Sequence, residues 1–346
     1  MQLPESNELP VNLLSACFNS KVATYKFYWL LSILQSVEEG NLKISKRELF
    51  ARIISNSWYT VNYFQVSFGK QDLIQQVIEA INEIEKIPID EKRQIVFQKL
   101  SSTTNKETVS KLWHFNNNVP HWFLRPWFQK MDRNEIYKAS QTFDGKCLYA
   151  LQDDYIIINP SWKYYLTSNA RVLKDFCYWN LALFLQAKNP NVPDIPNKLI
   201  KPASRANLIK QRNEYWKIVF NTEKQIECIF TNKRLIFEDK NFAIDHFVPH
   251  AFVSHDLIWN LIPIEKKFNS YKSDKLPLLD IHFDKFFALQ KKAFELNRSI
   301  NPNSKYMEEF LSIFPDLNES FTKEKFKERI QPLITIASNN GFEFLK

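Results

Sequence analysis

From Lys21 to Glu39, with YKFYWLLSILQSVEE at its centre, apolar residues recur at helical spacing and Gly40 closes the run, which predicts a helix buried over much of its circumference. The next run, KRELFARIISNSW, follows Ser45, with Glu48 placed three residues on to complete a capping box. A third helix is predicted from about Gln71 to Ile87, where Leu73, Val77, Ile78, Ile81 and Ile84 line one stripe and polar residues the other. Shorter helices are expected around Asp90 to Leu100 and Lys106 to Phe115, before NNNVPHWFLRP breaks the pattern and marks a domain boundary near residue 118. Beyond it, Lys146 to Leu151 and Tyr155 to Ile158 read as a hairpin around Asp153 and Asp154. A long helix is predicted from Ser161 up to NPNVPDIPNK, whose prolines and asparagines read as a loop or linker. Asn207 to Phe220 is helical again, and two or three helices close the chain.

Composition narrows the classes. Hydrophobic residues make up 45% of the 346 and aromatics 15%, too much apolar surface for a disordered chain, so two or three folded domains are expected. With only 4 glycines, neither a G-x-x-x-x-G-K-[ST] nor a G-x-G-x-x-G phosphate loop is present. A formal charge of +8, from 46 Lys and Arg against 38 Asp and Glu, favours a polyanionic partner. Cys17, Cys147, Cys177 and Cys228 are scattered and no signal peptide is read, which points to a reducing cytoplasm. The most apolar stretch, Val172 to Leu185, contains Lys174 and Asp175 and is too short to span a bilayer; it reads as a buried helix, and no membrane association is expected.

The chemistry is concentrated in Ile226 to Pro277, IECIFTNKRLIFEDKNFAIDHFVPHAFVSHDLIWNLIPIEKKFNSYKSDKLP. IECIF and RLIF flank the turn TNK as a hairpin, and NFAIDH is a further β-rich stretch ending in Asp245 and His246. After a proline-containing loop come a short strand, Leu261 to Ile264, and a polar helix from Glu265 that carries Lys266, Lys267, Asn269 and Lys272. Phosphodiester hydrolysis needs a base for water, a cation for the charge growing on oxygen, and groups that position both. A histidine suits the first task, while Asp245 and the Asn269 amide oxygen are hard ligands suited to Mg²⁺ or Mn²⁺ with waters retained. Consecutive strand side chains point to opposite faces, so a bend is expected at Asp245 and His246 if both are to serve one site.

The D-H-x-x-P strand end, the I-x-N element and K-x-x-N-x-x-K-S-D, with Asn260 and Asn269 fourteen and twenty-three residues after His246, together resemble the HNH, or ββα-metal, nuclease motif. The segment is most similar to the HNH domain of RNA-guided type II CRISPR effectors. The resemblance implies His246 as general base, Asp245 and Asn269 as ligands of one divalent ion, and Asn260 as a catalytic-site residue that ties down the loop between the strands. It further implies a phosphate contact from Lys272, with Lys266 and Lys267 beside it on a helix face that would otherwise simply be solvated. It covers about fifty residues and transfers no guide RNA or second nuclease domain. Cys228 stands alone where many relatives have paired cysteines, so no structural zinc is expected. His250, four residues from His246, reads as a loop residue because Pro249 precedes it, and most tryptophans read as core.

The fold class expected is therefore α+β, mostly helical flanking domains around a ββα-metal module in the C-terminal half. The domains expected are residues 1–118 helical, 119–205 mixed helix and hairpin, 206–285 the nuclease module and 286–346 C-terminal helices. The function implied is a cytoplasmic metal-dependent endonuclease acting on DNA in preference to RNA, in defence against phage or plasmids. Two alternatives stay open: an effector subunit activated by a defence-system partner protein, and a nucleic-acid-binding module that keeps the fold without the chemistry. One active site cuts one strand, so a double-strand break calls for a homodimer or two successive nicks.

Overall fold

The structure, a computed structural model, describes residues 2–19, 22–200, 207–314, 316 and 321–346. Contacts gather them into two compact units, one of residues 1–190 with 195–203 and one of residues 191–194 with 204–346.

In the first unit the helices Tyr25–Glu38 and Lys46–Asn62 are buried along most of their length. The division expected at residue 118 falls inside this unit, because the short strand β1 (Lys43–Ser45) pairs with a hairpin from the far side of it. β2 (Tyr149–Leu151) and β3 (Tyr155–Ile158) form that hairpin, giving an antiparallel sheet of order β1-β3-β2. Lys46 adds a polar tie across the same division: its buried ammonium donates to Asn116 Oδ1 (2.9 Å), the Tyr137 hydroxyl (2.7 Å) and the Asp153 carbonyl (3.0 Å), using all three donors. Ser45 stands at the N-cap of Lys46–Asn62, but its side chain makes no capping bond. The first helical amide, that of Lys46, donates to the Asp154 carbonyl in the hairpin turn at 2.8 Å.

Three further expectations are corrected here. The helix expected from Ser161 is two, Pro160–Ser168 and Ala170–Lys188, broken at Asn169, whose side-chain amide donates to the Tyr165 carbonyl at 3.0 Å. Ala170–Lys188 is not buried all round: Leu173, Phe176, Cys177, Leu181 and Leu185 are covered, while Val172, Trp179 and Leu183 are exposed. The supposed linker contains a helix, Ile195–Ile200, and the Lys198 carbonyl accepts from the Thr60 hydroxyl at 3.1 Å. All four cysteines are free and buried, and burial pushes the Cys147 thiol up to about 12. No helix among the described residues is long and apolar enough to cross a membrane.

The second unit has two small antiparallel pairs. β4 (Ile226–Glu227) pairs with β5 (Arg234–Leu235), and β6 (Phe242–His246) with β7 (Leu261–Glu265). The helix Lys266–Lys272 follows β7 directly. Leu279–Ile300, Lys305–Phe310 and Lys323–Asn339 complete the unit around a phenylalanine core in which Phe286 stacks on Phe326 at 5.3 Å and Phe294 meets Phe310 at 4.9 Å. That core reaches the β6 end through Phe247, whose ring lies parallel to Phe286 at 3.8 Å.

Candidate active site

β6 ends on Asp245 and His246, both nearly sealed from water, at 3% and 2% exposure. The expected bend is not needed: pairing runs regularly to the last register pair, His246 with Leu261. The two side chains still meet over the strand end, with His246 Nδ1 4.0 Å from Asp245 Oδ1. Both residues, with Asn269 and Arg212, line one cleft of about 290 Å³.

Each side chain is held by a different element. Asp245 Oδ2 accepts from the Lys272 ammonium at 2.9 Å, so the last residue of the helix is tied to the strand beneath it. Lys272 is itself 1% exposed. It therefore does not stand at the surface, where the expected phosphate contact would place it; its charge is spent neutralising Asp245. Lys266 and Lys267, on the first turn of the same helix, are exposed.

His246 is oriented by the loop that joins β6 to β7. Its Nε2 lies 2.9 Å from Asp256 Oδ1 and 3.1 Å from the His255 carbonyl oxygen. Both neighbours are acceptors, so the proton belongs on Nε2 and the lone pair on Nδ1. Nδ1 is buried and has no hydrogen-bond partner among the described residues. Burial works against ionisation of Asp256, but the hydrogen bond from His246 and the nearby His246, His250 and His255 hold its carboxyl below its ordinary range. Asp256 is thus a carboxylate at neutral pH. His250 lies on a one-turn helix, His250–Val253, where a loop was expected, and its ring is 5.1 Å from that of His246.

Asn260 works on the joining loop. Its side chain brackets one residue of the joining loop, accepting from the Val248 amide at 2.8 Å and donating to the Val248 carbonyl at 2.9 Å. Its own carbonyl accepts from the Phe247 amide at 2.7 Å. Three bonds to two consecutive residues stitch the start of the loop to its end, a structural rather than chemical task.

Residues 228–278 match the HNH endonuclease family. The matched segment contains β6, β7, the joining loop and the helix Lys266–Lys272, hence every one of these groups except Arg212. A domain of this family is a nuclease and binds nucleic acid, and HNH nucleases generally use a divalent metal ion. Comparison with curated proteins and with solved structures gives no match.

Among the described residues no group of three or more His, Cys, Asp or Glu is placed to hold a metal ion. The cleft offers instead one carboxylate, Asp245, and the side-chain amide of Asn269. Two hard oxygen donors suit a cation that keeps most of its water, as Mg²⁺ and Mn²⁺ do, and not zinc. Two residues of the site were not legible in the motif. Asp256 sits beside His255 with no spacing template that singles it out, and Arg212 lies upstream of the matched segment.

Proposed function

We propose that the second unit is a metal-dependent HNH endonuclease that hydrolyses phosphodiester bonds of DNA, with His246 as general base. The observation that carries this reading is the His246 imidazole in the cleft, whose Nε2 is committed to two acceptors while its buried Nδ1, 4.0 Å from Asp245 Oδ1, has no hydrogen-bond partner among the described residues. His121 and His282 also bury an Nδ1 without a hydrogen-bond partner among the described residues, but neither lines the cleft with Asp245 and Asn269 as His246 does.

In this reading a water in the cleft gives its proton to His246 Nδ1 as its oxygen bonds to phosphorus. The opposite P–O bond breaks and the departing alkoxide takes a proton from solvent. Asp256 accepts from Nε2–H throughout, which fixes the tautomer and stabilises the imidazolium that forms. Asp245 and Asn269 would hold the divalent ion, which neutralises charge on the phosphorane and leaving oxygens. Asn260 keeps the loop, and through it Asp256, in register. Exposed Lys266 and Lys267 are assigned to phosphates flanking the cut. The resemblance to effector HNH domains supports DNA as substrate and defence as the setting.

Nicking of supercoiled plasmid tests the assignment. The parent is expected to nick with Mg²⁺ or Mn²⁺ and not in EDTA, and His246→Ala and Asn269→Ala are each expected to lose about 10²-fold or more in rate while remaining folded. A parent that cuts neither DNA nor RNA with any metal, or a His246→Ala variant as fast as the parent, would overturn it.

A further inference from the structure

The cleft lined by Asp245, His246 and Asn269 is also lined by residues upstream of the HNH segment, among them Arg212. A π-helical turn, Gln211–Trp216, presents this side chain, and such turns recur at functional sites. Arg212 has no ion pair with a carboxylate among the described residues, and its buried Nε finds no hydrogen-bond acceptor there. What it has instead is an aromatic support: the guanidinium carbon lies 4.9 Å from the centre of the Phe237 ring and 5.0 Å from that of Phe242. Those rings are packed in turn on Phe220, at 5.6 and 4.6 Å.

Aromatic faces hold a guanidinium in place without consuming its N–H donors, whereas a carboxylate would occupy the fork and cancel its charge. Among the residues lining the cleft Asp245 is the one carboxylate, and the Lys272 ammonium already neutralises it. Arg212 is therefore the group that gives the cleft a net positive charge with donors to offer. A planar fork of this kind matches two oxygens of one phosphate.

We propose that Arg212 is a substrate-binding residue of the site, donating in bidentate fashion to a phosphate of the strand being cut. This rests on the nuclease reading of the cleft. The test therefore measures binding apart from cleavage. The cleavage-deficient His246→Ala protein is titrated onto a short DNA duplex in EDTA over a range of salt, alone and combined with Arg212→Met or Arg212→Lys. Arg212→Met keeps an apolar stem on the two rings. It is expected to weaken binding by about ten- to a hundredfold at low salt and to lower the slope of log affinity against log salt by about 0.9, the loss of one phosphate contact. Arg212→Lys is expected to keep the slope and lose part of the affinity, because charge survives and the fork does not. A residue that merely packs on Phe237 and Phe242 would leave the salt slope unchanged in both.

The outcomes separate the two readings. If the parent nicks plasmid but Arg212→Met, shown folded by circular dichroism, leaves affinity and slope as they were, the role of Arg212 is refuted and the nuclease stands. If the parent does not nick and His246→Ala binds no duplex, both fall. Binding that depends on Arg212 in a parent that does not cut would keep the phosphate contact and remove the catalytic reading.

Discussion

Lys272→Met removes an ammonium 2.9 Å from the Asp245 carboxylate, with the two side chains only 1% and 4% exposed. Solvent can screen little of what is lost, and breaking a pair this buried costs about 3–5 kcal/mol because a desolvated charge is left behind. The loss falls where the helix Lys266–Lys272 meets β6, so local opening is the quantity to follow. In EDTA, exchange of the β6 amide hydrogens that bond across to β7, and of the Phe247 amide bonded to the Asn260 carbonyl, is expected to speed up by roughly two orders of magnitude, the equivalent of about 3 kcal/mol. A divalent cation supplies the positive charge that the variant lacks, whereas in the parent it must share Asp245 with the ammonium. Millimolar Mg²⁺ is thus expected to slow exchange about tenfold more in Lys272→Met than in the parent. Asp245→Asn combined with Lys272→Met removes both charges and should recover most of the protection. Exchange within threefold of the parent in EDTA, or equal protection of parent and variant by Mg²⁺, would show that Lys272 does not hold the charge position of the proposed metal ion.

Two further outcomes follow from named contacts. Asp256→Asn can still lie against His246 but no longer stabilises an imidazolium, so kcat for nicking is expected to fall about 10²-fold with KM little changed, while Asp256→Glu recovers part of it; an unchanged kcat would remove Asp256 from the mechanism. In the first unit, burial, aided by Arg133, Lys46 and Arg125, lowers the His121 imidazole to about 4. The unfolded chain protonates this group near 6.5, so between about pH 6.5 and about pH 4 the unfolded state binds the extra proton and stability declines as pH falls. His121→Gln is expected to flatten that decline in denaturant midpoints of the first unit measured at pH 7 and pH 5, and identical declines in parent and variant would show that His121 is not its source.

The parts of this molecule that were legible in sequence are those in which one local pattern determines the outcome. The helix Leu73–Glu85 shows this, with Val77, Ile78 and Ile81 buried along the predicted stripe and Asp72 capping it by accepting from the Ile74 amide at 3.0 Å. β6, β7 and the helix after them were readable for the same reason: alternation and an abrupt polar run are local signals. Ser45 stands at the N-cap without making the capping bond, and the boundary near residue 118 failed because β1 pairs across it. Lys272 was read as a surface lysine of a polar helix, since nothing in KKFNSYKSD says that its side chain turns inward onto Asp245. Partners far apart in sequence leave no periodic trace.

The same reasoning explains why the HNH segment is not sufficient to build its own site. His246 owes its orientation to Asp256, and Asp256 lies on a loop whose far end is held from outside residues 228–278. Gln290 donates to the Ile258 and Leu261 carbonyls at 3.2 and 2.7 Å, Glu309 accepts from the Ile258 amide at 2.6 Å, and the Trp259 indole donates to the Ser312 hydroxyl at 3.0 Å. Those four bonds come from the C-terminal helices and the turn after them, and Phe286 adds its stacked contact with Phe247 at the loop's other end. A general base must be held to within a fraction of an ångström of its working position, and a loop ordered by Asn260 alone would not achieve this at its Asp256 turn. Under the proposed mechanism the helices after residue 278 therefore belong to the catalytic apparatus in the physical sense: they set where the carboxylate behind the imidazole sits.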